Sequence, residues 1–248
     1  MSWKAKFFVL CLVMLSLRAS AQHTVAEQYL FQSINQERAA AGLPALTWNP
    51  ELTQAAVFHA QQMRSAQAIS HQFQGEPDLT VRAATAGTKF SRVAENVATS
   101  GSILQMHDAL MLSQHHRENI LDPQVNSIGI AVVASGRQLW GVEDFARDVQ
   151  PLSFPQQESQ ISQLIMAAGL QNVGWSEEAR ATCRKSSGFV GDRPAFVMRF
   201  SATDLNHLPA QLASRIAQGG ISQAAIGACA GAGNSSFTTY NIAVVLYP

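Results

Sequence analysis

Helix signals and strand signals alternate through the first half of this chain, and this alternation constrains its fold more than any other feature. Thr24 and Glu27 form a capping box at the start of one helix, and Gly42 stands where a left-handed cap would end it. Asn49 is placed to cap a second helix that has Pro50 in its first turn. Two helices in succession are therefore predicted.

The segment that follows predicts an antiparallel sheet. Residues 92–98 are rich in small and β-branched side chains, as a strand requires, and Ser102 is placed to cap a third helix. Residues 128–133 and 138–145 are apolar runs joined by a turn-forming loop, so they predict a hairpin. A sheet interleaved with helices must bury both faces, and the simplest α/β (α+β) solution is an α-β-α sandwich.

Residues 1–21 are predicted to be an export signal. Lys4 and Lys6 form a basic start, 7–17 an apolar run and 19–21 a small-residue cleavage site. The apolar run is shorter than the roughly 20 residues that a membrane span needs, although a retained N-terminal anchor is the alternative. We therefore expect a secreted or periplasmic protein without a transmembrane segment after cleavage.

The charge balance argues against one class of partner. The chain has 17 basic and 17 acidic residues, and removal of the signal takes away three basic ones, which leaves 14 minus 17, or −3. A nucleic-acid surface needs clustered positive charge, so no nucleic-acid partner is expected.

The cysteines predict one covalent cross-link. Cys183 and Cys229 are the two cysteines that remain after removal of the signal. An even pair in an oxidising compartment favours a disulfide, and two buried thiols are the alternative.

Four short fragments follow one another in the first half and contain two histidines and a carboxylate. They are N-x-x-R followed by Gly-Leu at 35–43, Ser-His at 70–71, Ala-Glu-Asn at 94–96, and Ser-x-x-His-Arg-x-Asn-Ile-Leu at 113–121. As an ordered set they resemble the bacterial branch of the CAP superfamily (cysteine-rich secretory, antigen 5 and pathogenesis-related 1 proteins), whose domain is also called SCP. The resemblance covers residues 27–146 and implies a CAP-type α-β-α sandwich.

The resemblance also implies a cleft lined by His71, Glu95 and His116, which are the candidate catalytic residues. Some family members bind a divalent metal through the two histidines, so zinc or another divalent cation at His71 and His116 is an expectation. Neutral imidazole is a good zinc ligand, and a nearby carboxylate can orient it or act as a base. The alternative is a hydrogen-bonded network that holds the cleft together without metal.

Further residues are expected to surround or support this cleft. They are Asn96, Ser113, His115, Arg117 and Asn119. The second acidic residue of the eukaryotic members has no clear counterpart, and Asp108 and Glu118 are the nearby candidates. Asn35 and Arg38 are expected to tie the first helix to the rest of the domain.

Two functions are compatible with these residues. The resemblance implies a secreted binding module whose cleft takes a small apolar or lipid-like ligand or a partner protein, with a metal as an option. The alternative is a metal-dependent hydrolase or peptidase acting on peptides or cell-envelope polymers, which a His/Glu cluster permits. The sequence has no G-x-S-x-G elbow and no H-E-x-x-H motif, and Ser113 has no visible oxyanion hole.

The second half repeats part of the first-half pattern. A Gly-Leu pair at 169–170 precedes Trp175 by the spacing at which the pair at 42–43 precedes Trp48, and a helix cap follows each tryptophan. Both rings are expected to enter a core. Such self-similarity predicts a tandem duplication, and chance coincidence is the alternative.

This repeat predicts four parts along the chain. They are a signal peptide at 1–21, a CAP/SCP domain at 22–148, a linker at 149–155 and a smaller, degenerate CAP-like α-β-α module at 156–248. The second copy is expected to lack the cleft chemistry, with Arg199 at the position of Glu95. Its strand 242–246 is expected to match the strand at 130–133.

Overall fold

The structure, a computed structural model, describes residues 23–231 and 236–248. The predicted export signal at 1–21 lies outside the described residues. The helices are α1 Val25–Ala40, α2 Pro50–Ala66, α3 Leu79–Ala86, α4 Ile103–Leu112, α5 Gln114–Ile120, α6 Phe154–Ala167, α7 Glu177–Cys183 and α8 Ala210–Ala217. The strands are β1 Thr47–Trp48, β2 Phe90–Ser100, β3 Ser127–Ser135, β4 Gln138–Asp148, β5 Val173–Trp175, β6 Phe196–Ala202, β7 Gln223–Cys229 and β8 Tyr240–Tyr247. Within the described ranges, no helix is long and apolar enough to cross a membrane.

The first unit, which contains α1–α5 and β1–β4, is built on a sheet with the strand order β1-β3-β4-β2. β3 and β4 form the hairpin that the sequence predicts, and β2 pairs antiparallel with β4. The short β1 adds a parallel edge beside β3. The helix starts were also predicted correctly, since Thr24 forms its capping box and Asn49 accepts from the backbone N–H of Leu52.

Alternating side chains of β3 enter two different cores. Ile128 and Ile130 pack with side chains of α1 and α4, whereas Ala131 packs with side chains of α2. Helices therefore cover both faces of the sheet, and the first unit is the expected α-β-α sandwich.

Arg38 ties α1 to the loop after α5. Its guanidinium is almost fully buried and donates hydrogen bonds to four backbone carbonyls, those of Pro44, Ile120, Asp122 and Val125. Asn35 bonds both the N–H and the carbonyl of Leu46. The expected anchoring role of both side chains is confirmed.

The second unit, which contains α6–α8 and β5–β8, has the strand order β5-β7-β8-β6. β5 pairs parallel with β7, and β8 pairs antiparallel with both β7 and β6. Side chains of α6 and α8 share one core with the sheet, and Ala179 of α7 packs against the other face. Cys183 and Cys229 form the expected disulfide with a Cα–Cα distance of 5.8 Å.

Two details of the second half differ from the sequence prediction. The strand at 242–246 belongs to β8, the central partner of β7 and β6, so its counterpart by position is β4 rather than β3. Trp175 is not a core ring, because it is 61% exposed and carries the guanidinium of Arg180 at 4.4 Å from its ring centroid. Trp48, in contrast, is partly covered by the rings of His23 and Phe31.

Candidate functional site

Glu95 lies at the centre of the candidate site, on the middle of β2. Its carboxylate is nearly buried and meets the Nδ1 atom of His71 at 2.9 Å through Oε1. Its Oε2 atom accepts a hydrogen bond from Nη2 of Arg82 on α3. Glu95 therefore connects a surface histidine to a buried arginine.

His71 presents its ring to solvent from the loop between α2 and α3, with the side chain 63% exposed. The hydrogen bond to Glu95 raises the pKa of His71 above its ordinary value. Partial burial lowers this pKa, but its effect is smaller than that of the hydrogen bond. When the neutral ring donates through Nδ1, the Nε2 atom is left as an acceptor toward solvent.

Two further acids lie on β4 directly behind the cleft. Asp144 pairs in register with Glu95, and Glu143 pairs with Asn96. Burial raises the pKa of Asp144 well above its ordinary value, and the charge of Glu95 adds to the rise. Neither carboxyl oxygen of Asp144 receives a hydrogen bond from a described residue, and an ionised carboxylate can only accept, so the neutral acid is favoured here.

Glu143 is completely buried, and burial raises its pKa to about 7 although the amide of Asn96 donates to it at 3.0 Å. That amide also donates to the carbonyl of His116 at 3.1 Å, and Asn119 donates to Asn96 Oδ1 at 2.9 Å. These side chains form one network that joins β4, β2 and α5.

His116 approaches the cleft from α5. Burial lowers its pKa, and the charges of His71 and His115 lower it further. The side chain of Glu95 faces α2 and α3, whereas α5 bonds Asn96 on the opposite face of the edge strand β2, and the direct contact joins only His71 and Glu95.

The other expected support residues have unequal roles. Arg117 donates to the carbonyl of Met111 at 2.8 Å, and Ser113 gives α5 no side-chain cap. His115 is highly exposed and faces Glu118 at 3.7 Å. Glu118 therefore points to the surface, as the exposed Asp108 does, and neither contacts Glu95. The acid that pairs in register with Glu95 is Asp144, and Glu76 contacts His59 and Arg82 as Glu95 does.

A buried histidine that the sequence analysis did not assign lies beneath His71. His59 on α2 has its Nδ1 atom 2.7 Å from Glu76 and its Nε2 atom 2.7 Å from the carbonyl of Ser70. Its Nε2 atom is also 3.9 Å from Glu95. The ring is placed to donate from both nitrogens, so it fixes the loop that carries His71.

The described residues do not form a metal-ligand shell. Among them, no group of three or more His, Cys, Asp or Glu side chains is arranged to hold a metal ion. Zinc prefers four ligands, or three with a water, and His71 already uses Nδ1 for Glu95. Zinc binding by His71 and His116 remains a prediction, and no chemical step is derived from it.

An apolar pocket of about 270 Å³ opens beside the cleft, between α2 and α3. It is lined by Gln54, Ala55, Phe58, Pro77, Arg82, Thr85 and Ala86. Arg82 is shared by this pocket and the cleft, and its buried Nε atom has no hydrogen-bond partner. We call it the α2–α3 pocket.

Helices on both faces of a mixed sheet, with histidines and buried acids around strands β2 and β4, define the first unit as an α-β-α sandwich with a polar cleft. Residues 31–144 match the family model of CAP, the cysteine-rich secretory protein family. This part of the chain is therefore a CAP domain.

Comparison with solved structures gives remote likenesses. An extracellular protein containing an SCP domain from Bacillus anthracis is 23% identical, with a TM-score of 0.45, over 50% of this chain and 40% of that protein. A cysteine-rich secretory protein from Staphylococcus aureus is 18% identical, with a TM-score of 0.43, over 52% of this chain and 40% of that protein. The match to Na-ASP-1 is 10% identical, with a TM-score of 0.44, and covers 93% of this chain and 91% of that one. This chain therefore spans less than half the length of the two bacterial proteins, and no curated protein matches it.

Proposed function

We propose that this chain is a secreted or periplasmic binding protein whose CAP domain takes a small apolar, lipid-like ligand in the α2–α3 pocket. The observation that supports the proposal is Arg82, which lines an otherwise largely apolar pocket and has one buried N–H without a partner. Such a pocket suits a small apolar molecule that carries one hydrogen-bond acceptor.

Nη1 and Nη2 of Arg82 both have partners in the protein, whereas Nε has none. Nη2 bonds Glu95, and Nη1 bonds the carbonyls of Pro77 and His71 at 3.1 and 3.3 Å. A buried donor without a partner costs about 1–3 kcal/mol. A ligand oxygen that accepts from Nε recovers this cost, so an alcohol or ester should bind better than a hydrocarbon of equal length.

The cleft has a positioning role in this proposal. Glu95 and Glu76 hold Arg82 in place, and Glu95 in turn holds His71 at the surface. A partner protein that meets the exposed imidazole of His71 and the half-buried imidazole of His116 is compatible with the same arrangement, because neither histidine lines the α2–α3 pocket.

Binding of the neutral fluorescent probe N-phenyl-1-naphthylamine, followed by displacement with 1-decanol or decane, tests the proposal. Ala86→Phe should fill the pocket and weaken probe binding at least tenfold, whereas Ala109→Phe on the exposed part of α4 should not change it. We expect 1-decanol to displace the probe better than decane. Equal binding by both variants would overturn the proposal.

A hydrolase acting on peptides or envelope polymers is the second candidate, and the carboxyl pair Glu95 and Asp144 favours it. Burial and the charge of Glu95 raise the pKa of Asp144 near an exposed histidine, and a perturbed acid beside a histidine is typical of acid/base sites. Assays on peptides and cell-wall fragments, with and without added zinc, would detect it. Turnover that disappears in both His71→Ala and His116→Ala would establish this candidate, and no turnover in the parent protein would remove it.

Calorimetry with zinc tests the metal prediction separately. Ligation needs neutral imidazole, so any binding at pH 7.5 should fade below about pH 6.5. His71→Ala should abolish the heat, and His107→Ala, a buried histidine on α4, is the matched control.

A further inference from the structure

The second unit contains a pocket of about 440 Å³ whose charged lining is entirely cationic. It lies between the end of α7 and strands β6 and β8, next to the disulfide. Its charged residues are Arg184, Lys185 and Arg199, and its polar residues include Ser186, Ser201 and Asn241. We call it the cationic pocket. Neither the CAP domain nor its proposed ligand involves it.

The register of the two sheets locates this pocket relative to the cleft. In each sheet a tryptophan of the short parallel strand pairs with an isoleucine, and the glycine after that isoleucine lies against a helix backbone. These residues are Trp48, Ile128 and Gly129 in the first unit and Trp175, Ile226 and Gly227 in the second. The isoleucines therefore give a common origin for counting along both sheets.

Counted from this origin, Arg199 occupies the position of Glu95. Ile128 pairs with Phe145, and the preceding residue of β4, Asp144, pairs with Glu95. In the second sheet Ile226 pairs with Val244, and the preceding residue, Ala243, pairs with Arg199. The same count places Phe200 at the position of Asn96 and Ile242 at that of Glu143.

The residue differences between the two units change the charge at these positions from negative to positive. The acids of the first cleft are replaced by alanine, isoleucine and arginine, so the corresponding place in the second unit contains no acid and gains one cation. Arg184 and Lys185 also complement the carbonyl end of α7, as cations near helix ends commonly do. Arg199 lies on strand β6, so its charge does not complement a helix end. Its substitution is therefore the most direct test of ligand binding in the pocket.

No carboxylate neutralises the two inner cations. Arg199 donates to the carbonyl of Gly188 at 2.6 Å, and in the described part of the chain neither Arg199 nor Lys185 forms an ion pair. Arg184 forms an ion pair with Glu177 at the exposed rim, with 3.1 Å between Nη2 and Oε1. The segments outside the described ranges, 1–22 and 232–235, contain no Asp or Glu in the sequence. The positive potential of the pocket is therefore retained.

We propose that the cationic pocket binds a phosphate group, either free or in a lipid headgroup. Guanidinium and ammonium groups with neighbouring hydroxyl and amide donors suit a tetrahedral oxyanion. The volume of the pocket is that of a small-molecule site.

Calorimetry of the full chain with inorganic phosphate, and flotation with vesicles of phosphatidylglycerol or phosphatidylcholine, test this proposal and separate the two sources. We expect R199Q and K185Q each to weaken binding at least fivefold. R215Q, which changes a half-buried arginine of α8 outside the pocket, should bind like the parent protein. Higher salt should weaken binding, because the recognition is ionic.

Binding of inorganic phosphate assigns the site to a free ligand, and binding of phosphatidylglycerol vesicles alone assigns it to a lipid headgroup. Within residues 23–231 and 236–248 the side chain of Lys185 makes no hydrogen bond, so K185Q should fold like the parent protein, and the thermal midpoints of K185Q and R199Q check both variants. Absence of binding to both probes, or equal binding by K185Q, R199Q and R215Q, would overturn the proposal. The test does not depend on the α2–α3 pocket, because its probes and variants are different.

Discussion

Glu95 determines the protonation of the groups on both sides of it. Toward solvent it accepts from His71, which raises the pKa of that imidazole. Toward the core its charge adds to burial in raising the pKa of Asp144. One carboxylate therefore favours a charged histidine outside and a neutral acid inside, because an anion stabilises a nearby cation and opposes a second anion.

Glu95→Gln should lower the pKa of His71. In the parent protein the pair stabilises the fold below the unfolded pKa of about 6.5, and this contribution is lost as the pH rises through the higher folded pKa. An NMR titration of the His71 ring measures the change, with Glu118→Gln as the control. An unchanged pKa of His71 in Glu95→Gln would contradict the assigned cause.

Glu143→Gln should become more stable than the parent protein as the pH rises. The folded chain holds a proton on Glu143 up to about pH 7, whereas the unfolded chain releases it near pH 4.5, so the parent loses stability between these values. The difference is about 3 kcal/mol by linkage. Urea unfolding at pH 4.5 and pH 8 measures it, and parallel pH profiles for the two proteins would show that Glu143 is not held neutral.

At the scale of elements, each sheet depends on one helix that crosses it at a glycine. A Cβ atom on Gly129 would lie 2.4 Å from backbone atoms of Leu52 and Thr53 in α2. A Cβ atom on Gly227 would lie 2.1 Å from backbone atoms of Ala179 and Arg180 in α7. Backbone cannot move aside as a flexible side chain can, so these crossings require glycine.

Gly129→Ala and Gly227→Ala should each destabilise the protein by about 3 kcal/mol or more, since overpacking against backbone forces the helix away from the sheet. Gly174→Ala in β5 is the matched control, because a Cβ there meets no atom within 4 Å. Denaturant unfolding of the three variants measures the costs. A decrease of less than about 1 kcal/mol in the free energy of unfolding of Gly129→Ala would mean that α2 shifts easily away from the sheet.

At the scale of the whole molecule, two units with the same strand order follow one another. The orders β1-β3-β4-β2 and β5-β7-β8-β6 agree position by position, including the parallel edge and the glycine crossing. This agreement supports the predicted tandem duplication, which stays a prediction. The units meet where the ring of Phe237 packs on Phe90 and the N–H of Thr238 donates to the carbonyl of Phe90.

Reduction of the disulfide should weaken the second unit selectively. Cys183 and Cys229 are 46 residues apart, and a cross-link of this span stabilises by about 4 kcal/mol in the chain-entropy account. Because the main apolar cores of the two units are separate, calorimetry should show one thermal transition that falls on reduction and one that does not. A single transition that shifts as a whole would indicate one cooperative unit.

Sequence reasoning recovered the elements whose signals are local. Capping residues located α1 and α2, and apolar runs located the hairpin of β3 and β4. It missed β7, because Gln223–Cys229 consists mainly of small residues whose strand conformation comes from pairing with β8. It also placed Trp175 in a core, since spacing alone does not show which neighbours cover a ring.

The sequence by itself determined the helix and strand types, the CAP motif set and the cysteine pair, because caps, periodicity and spacing act over a few neighbouring residues. Only the tertiary structure decided how the cleft works. Arg82, His59 and Asp144 are far apart along the chain and carry no motif, yet they surround Glu95. Their protonation and partners depend on burial and on contacts across strands and helices, which exist only once the sheet has formed.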